Sequence, residues 1–389
     1  MKYWRGYLVA FIMAAFTSAL VKFAAGHQLL VDMIWPYLTR TYQTFMADWS
    51  SEVGFCLWQV ILVLLVVLGL AGVLLMIILR WNPIQVGGWV LAVVFIISFF
   101  STCLYDLNDY SGSIAKDIHL QETEYSTAEL EEAAVYFRDQ ANALADDLQR
   151  AGDGHLIAGD FDELAQKAGQ GYEYLVYEKS CSVFAGSTAP VKKLGWAEDY
   201  TEDGITGKTV ALTGESAVNP ETPAVAMPFV MCHEMAHRMS ITRDRDADLA
   251  AFLACIHNSD ALFQYSAYFM AYRYCYYSLE NVGATAAAGR VSAGEGKQLQ
   301  ADMKAYSKFF ADEPKMDPTR SPVQAEDSLL KIGKEDAVVS YGRATDLLVS
   351  WHIQEIILPT QQTEEKGFDP YDPSQVDLTG LVNAPQTAQ

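Results

Sequence analysis

Five consecutive residues, His233-Glu234-Met235-Ala236-His237, have types and a spacing that imply chemistry. Two histidines four apart lie on one face of a helix, so both imidazoles can reach a single metal ion. Glu234 points about a quarter-turn away, where it can hold a water on that metal and take its proton. Zinc in a hydrolytic site needs a third protein ligand and an open position. Asp244-Arg245-Asp246-Ala247-Asp248 follows His237 after a six-residue link and opens a second helix. Asp244 and Asp248 are four apart, so both can face back toward the histidines. Asp244 is the expected third ligand. Asp248 is the expected partner that fixes the tautomer of one histidine ring, and Asp246 is the alternative ligand. A plainer reading makes these acids complements of a helix dipole and leaves the histidines on a solvated face. The apolar run Met227-Pro228-Phe229-Val230-Met231-Cys232 before the motif argues instead for a buried face.

Such a site hydrolyses amides: Zn²⁺ polarises the carbonyl and brings the pKa of a water toward about 7. Glu234 then acts as general base and hands the proton to the leaving amine. The tetrahedral oxyanion needs a donor. Tyr265, Tyr268 and Arg245 are the candidates, with Tyr265 first, although the aromatic density of 260–279 equally suits a packed core. Lys208-Thr209-Val210-Ala211-Leu212 reads as a strand whose edge can pair with a peptide.

The elements that must carry this site begin in a membrane. Of 27 Lys and Arg and 48 Asp and Glu, residues 1–104 hold only five and three. Apolar stretches at about 6–21, 55–79 and 86–104 predict three spans, the later two matching a hydrocarbon core of about 30 Å. A cleaved signal peptide is the alternative for the first. Lys2, Arg5 and Arg80 vote for a cytoplasmic N-terminus and a cytoplasmic link between spans two and three. That predicts a multi-pass protein of the cell membrane with its large domain outside. Trp35-Pro36-Tyr37, Tyr42, Phe45 and Trp49 suggest a short segment at the interface. The net charge of −21 makes nucleic acid an unfitting partner. The bilayer and a peptide or protein substrate near it are the expected partners. No spacing of the six cysteines resembles a disulfide framework, and free thiols are expected.

Residues 105–358 are expected to form one mostly helical domain. A capping box at Ser126–Glu129 opens a helix to about Arg150. Further helices are expected at 160–168, from the motif to about Met239, and at 243–257, 260–279, 295–311 and 335–357. The stretch 180–207 reads as loop, 208–212 as the one strand, and 359–389 as a disordered acidic tail.

The motif followed by a helix with Asp-Arg-Asp-Ala-Asp resembles the gluzincin metallopeptidases, including the membrane-anchored CaaX-prenyl-protease and stress-protease types. Aspartate stands here where those enzymes carry the ligand glutamate. The layout also resembles a bacterial domain-of-unknown-function family of membrane proteins with a zinc-peptidase-like motif, over residues 1 to about 355. The carriers are Leu107-Asn108-Asp109-Tyr110, Gly204, Thr213-Gly214-Glu215-Ser216-Ala217-Val218-Asn219, Pro228-Phe229, the motif itself, Phe252-Leu253-Ala254-Cys255 and Tyr265-Ser266-Ala267-Tyr268. Members tend to have glutamate at positions 244 and 246 and glycine at 240. The resemblance implies a mainly α fold, with three transmembrane helices before a zincin-like extracytoplasmic domain and a small β element. The functional expectation is a membrane-anchored zinc metallopeptidase. The alternative is a sensor or scaffold that keeps the fold without turnover. A transporter is the weakest reading, since the spans lack intramembrane charge.

Overall fold

The computed structural model describes residues 2–152, 154–311 and 344–360. Four long helices come first: α1 (Arg5–Gly26), α2 (Gln28–Ser51), α3 (Leu57–Ile78) and α4 (Pro83–Leu104). Three of them, α1, α3 and α4, are long and apolar enough to cross a membrane. Small residues let α1 and α4 touch backbone to backbone. A Cβ on Gly6 would lie 2.3 Å from the Gly88 carbonyl carbon, and Ala10 and Ala92 are buried with them. Helix α3 stands apart: Gln59 is its one buried residue, and the leucines and valines along it are exposed.

Helix α2 is the main departure from the expected short interfacial segment. It runs 24 residues, about 36 Å at helical rise. Leu29, Leu30, Met33, Ile34, Tyr37, Leu38, Phe45 and Trp49 are exposed along it, while Val31, Thr39, Gln43, Ala47 and Ser50 are buried. Of the aromatic residues that mark it in sequence, Tyr37, Phe45 and Trp49 sit on its exposed side, whereas Trp35 and Tyr42 donate to the Cys103 and Leu212 carbonyls.

The larger domain follows as α5 (Thr127–Ala145), α6 (Phe161–Lys167), α7 (Gln170–Tyr177), β1 (Lys192–Lys193), α8 (Ala197–Glu202), β2 (Gly207–Val210), β3 (Glu215–Val218), α9 (Met227–Arg238), α10 (Asp244–Ile256), α11 (Ala261–Asn281), α12 (Thr285–Ser292), α13 (Lys297–Phe309) and α14 (Ala344–His352). The mainly helical class stands, with a small sheet. The Ser126–Glu129 capping box is formed, but α5 stops at Ala145, before the expected Arg150. Helices α2, α7, α8 and α12 and strands β1 and β3 were not expected. The expected 335–357 helix is seen as α14, whose last turns wind on over Ile353–Ile357; residues 335–343 and the expected tail beyond 360 lie outside the described residues.

The core joins α9, α10 and α11 to α5, α7 and α14 through Phe137, Phe252, Phe263, Phe269 and Leu347. The sheet order is β1-β3-β2, with β1 parallel and β2 antiparallel to β3. The strand predicted at 208–212 is shifted to Gly207–Val210, because Ala211 and Leu212 enter a turn closed by Gly214 at φ +64°. A Cβ on Gly214 would also lie 2.6 Å from Ala47 N, so glycine lets α2 lie directly against the turn.

The span ends are bonded into this domain. Leu57 N and Trp58 N at the start of α3 donate to the Glu215 carboxylate at 2.7 and 2.9 Å, which caps the helix and is also met by Lys192 at 2.6 Å. Gln59 exchanges two hydrogen bonds with the Gly195 backbone. At the other end of the pair, the turn after α4 packs on α2 through Asn108, which accepts from Thr39 at 3.1 Å.

Candidate metal centre

The two histidines leave α9 on the face turned toward α10, and their rings stand edge to face at 4.6 Å. Each has its Nδ1 occupied. His237 Nδ1 is 2.8 Å from the Ile241 carbonyl, and a carbonyl only accepts, so the proton is on Nδ1. His233 Nδ1 lies 2.8 Å from Asp248 Oδ1, whose other oxygen accepts from Tyr274 at 2.7 Å. Both Nε2 atoms are thereby turned toward one point. Asp244 Oδ1 completes it, 3.5 Å from His237 Nε2 and 3.9 Å from His233 Nε2. Two ligands about 2.1 Å from a tetrahedral zinc are separated by about 3.4 Å, so this donor set fits the ion.

His233, His237 and Asp244 are also the one His/Cys/Asp/Glu group with metal-holding geometry among the described residues. Asp248 occupies the place expected of it, behind His233. The alternative ligand, Asp246, does not reach the site. Two positions along α10 from Asp244, it points the other way, where its Oδ1 accepts from Ser113 at 2.5 Å and Arg243 lies 2.8 Å from its Oδ2.

Charge reinforces the geometry. Burial alone would lower the His233 pKa, but the Asp248 carboxylate beside it overrides that and lifts it to about 9. Asp244 is held below the usual carboxylate value by its contact with His237, although its side chain is 84% exposed at the mouth. Among the described residues no Lys or Arg pairs with Glu234, Asp244 or Asp248. Beyond the two imidazoles, a dication would answer the charge of these three carboxylates.

Glu234 sits on the same cleft wall, only 6% exposed. The Thr209 hydroxyl stands 2.6 Å from its Oε2, with the Glu234 backbone carbonyl receiving Ser216 at 2.7 Å. Gly207 makes room for the carboxylate, since a Cβ there would lie 2.5 Å from Glu234 Oε1. Strands β2 and β3 therefore position the glutamate. The cleft measures about 450 Å³, and β2 forms one wall through Gly207, Lys208 and Thr209.

The oxyanion candidates lie elsewhere. Tyr265 is fully buried and bonds Asp302 at 2.6 Å, within a network closed by Arg150. It does not line the cleft, because its helix turns that face into the core. Tyr268 meets Tyr136 and Phe252 edge to face, and Arg245 pairs with Glu122 at 2.6 Å. The tyrosines that do line the cleft are Tyr105, the residue immediately after α4, Tyr274 on α11 and Tyr306 on α13. The Tyr105 ring is 5.9 Å from that of His237. Burial, with the carboxylates Glu234 and Asp244 nearby, pushes its pKa up and keeps the hydroxyl a donor. Neither Tyr105 nor Tyr274 has a local signal: Tyr274 is one aromatic among eight in α11's sequence neighbourhood, and Tyr105 is tied to the site only through the fold.

The chain belongs to the DUF3810 family, described as a protein of unknown function, with the match covering residues 32–349. The matched region holds α2, the later spans, the sheet and the whole histidine–aspartate constellation. No curated protein and no solved structure matches the chain.

Proposed function

We propose that this protein is a membrane-anchored zinc metallopeptidase with a zincin-like domain on the outer face of the membrane. The observation that carries the reading is the convergence of His233 Nε2, His237 Nε2 and Asp244 Oδ1 beside a buried, hydroxyl-held Glu234. His233, His237 and Asp244 would hold the ion. When bound there, zinc supplies Lewis acidity that polarises a carbonyl and acidifies a water.

The chain's own groups do the rest. Glu234, held by Thr209, takes the proton of the attacking water and delivers it to the leaving amine. Tyr105, whose hydroxyl has no protein partner among the described residues, donates to the developing oxyanion. Tyr274 acts through Asp248 and keeps the His233 ring oriented. The outer edge of β2 offers backbone groups to an extended peptide, since β3 occupies only its other edge. Substrate is expected from the bilayer side, because Tyr105 adjoins the end of α4 and Lys208 lies 6.0 Å over the Trp58 ring at the start of α3. The outer orientation rests on Lys2, Arg5 and Arg80 near the other span ends.

Full-length protein in liposomes, incubated with membrane-tethered peptide libraries, tests this. Cleavage lost in Glu234→Gln with zinc still bound supports the peptidase. Zinc bound without any cleavage by the native chain would favour the scaffold reading.

A further inference from the structure

On the far side of the link between α9 and α10, away from the histidines, lies a second cavity of about 290 Å³. Its walls are the first half of α2, the segment after α4 and the link itself. Three cations and three acids line it: Arg40, Lys116 and Arg243, with Asp32, Asp117 and Asp246. Two pairs close on themselves, Lys116 with Asp32 and Arg243 with Asp246. The third does not. Arg40 donates from Nε to the Met239 carbonyl and from Nη1 to the Ser182 carbonyl, both at 3.0 Å, and among the described residues no carboxylate forms an ion pair with it. Asp117 has neither an ion pair nor a hydrogen bond to its carboxylate among those residues.

Arg40 and Asp117 therefore face the same cavity and attract each other through space, but among the described residues neither is in an ion pair. The cavity also sits at the level of the span ends. Helix α1 ends at Gly26, just before α2, and α4 ends at Leu104, seven residues before Ser111 on the cavity wall. Met33 and Tyr37 belong to both the wall and the exposed apolar stripe of α2.

We propose that this cavity binds the headgroup of a zwitterionic phospholipid carrying a primary amine. The phosphate lies on Arg40, the ammonium on Asp117, and the acyl chains run along the α2 stripe. With Nε and Nη1 held by carbonyls, Arg40 keeps Nη2 for a phosphate oxygen, and a primary ammonium donates to a carboxylate where a quaternary one has no hydrogen to give. A headgroup with negative charge alone would face Asp117 unfavourably. The site bears on the metal centre, though it does not depend on the peptidase reading. Arg40 holds Met239, while the Ser240 hydroxyl lies 2.8 Å from that of Thr39 and accepts from Gln43 Nε2 at 3.3 Å, so the lipid-facing helix fixes the link that leads to Asp244.

Native mass spectrometry of the full chain from micelles doped with phosphatidylethanolamine, phosphatidylcholine or phosphatidylglycerol tests the assignment. Phosphatidylethanolamine should be retained about tenfold more strongly than either other lipid, the effect of one charge-assisted hydrogen bond. Arg40→Gln should lose retention of every phospholipid, and Asp117→Asn, whose carboxylate has no hydrogen-bond or ion-pair partner among the described residues, should erase only the preference for the ethanolamine headgroup. Equal retention of the three lipids by the native chain and both variants overturns the proposal. Displacement by soluble glycerophosphoethanolamine at the same concentration as the lipid would overturn the lipid assignment in favour of a free phosphate ester.

Discussion

Two polar cavities flank the link between α9 and α10, and one helix supplies an aspartate to each. Asp244 enters the cleft with His233 and His237, whereas Asp246 enters the cavity behind α2. Two helical positions put these carboxylates about 200° apart, on opposite sides of α10. In the α2 cavity, Asp32 and Asp246 each have a cation of this chain beside them. In the cleft, Glu234, Asp244 and Asp248 face imidazoles and hydroxyls only. The contrast teaches that acid density alone does not mark a metal site. The cleft differs because Asp244 converges there with two imidazoles that are both oriented from behind.

The largest effect that can break this comparison lies at Glu234. Glu234→Gln keeps the shape of the side chain and removes the base, so peptide cleavage should fall about 10²–10⁴-fold with metal content unchanged, as measured by initial rates alongside zinc analysis. Next come the two aspartates as a matched pair. Asp244→Ala should cost metal affinity and leave the melting temperature nearly unaltered. Asp246→Ala should do the reverse, because it strands Arg243 and the Ser113 hydroxyl, at about 1–3 kcal/mol in denaturant unfolding. Metal loss equal in both variants would erase the distinction between the cavities.

A smaller effect is expected at Asp248. Asp248→Asn keeps a hydrogen-bond acceptor for His233 but removes the charge, and zinc affinity in competition titrations should drop about 10–100-fold. The smallest belongs to the α2 cavity. Burial would raise the Asp32 pKa, but Lys116 and the Gly112 N–H offset it and leave it below its ordinary value of 3.8. A carboxylate depressed on folding stabilises the fold above that ordinary value and stops doing so as pH falls through the lower one. Lys116→Ala should therefore cost under about 1 kcal/mol at neutral pH, and nothing once the pH is below the folded Asp32 value or in molar salt.

How much of this was legible in the sequence depends on whether the signal is local. The histidine spacing, the i,i+4 pair Asp244 and Asp248, the Ser126–Glu129 cap and the three apolar stretches are periodic or short-range, and each appears where it was expected. Asp244 against Asp246 was ambiguous, because the direction of a side chain depends on where the helix begins, and α10 begins at Asp244 itself. Tyr265 was the wrong tyrosine for the cleft, since its helix buries most of its aromatics and the chain gives no mark for the one that reaches Asp248. Tyr105 and Thr209 come to the site from a span end and a short strand, far from the motif in sequence. Helix α2 was hidden by its own amphipathicity: exposed apolar residues and an internal Pro36 read as an irregular interfacial segment. Ser240 belongs with these long-range effects. Its φ of +68° lies in the left-handed region that favours glycine, yet its hydroxyl meets that of Thr39 from α2.

The central claim is that His233, His237 and Asp244 form one metal centre. Its most direct test is zinc content per chain of the purified full-length protein, measured with His237→Ala and Asp246→Ala alongside. Close to one zinc per native chain is expected, lost in His237→Ala and retained in Asp246→Ala. A native chain that binds no zinc, or a zinc that survives His237→Ala, would contradict it.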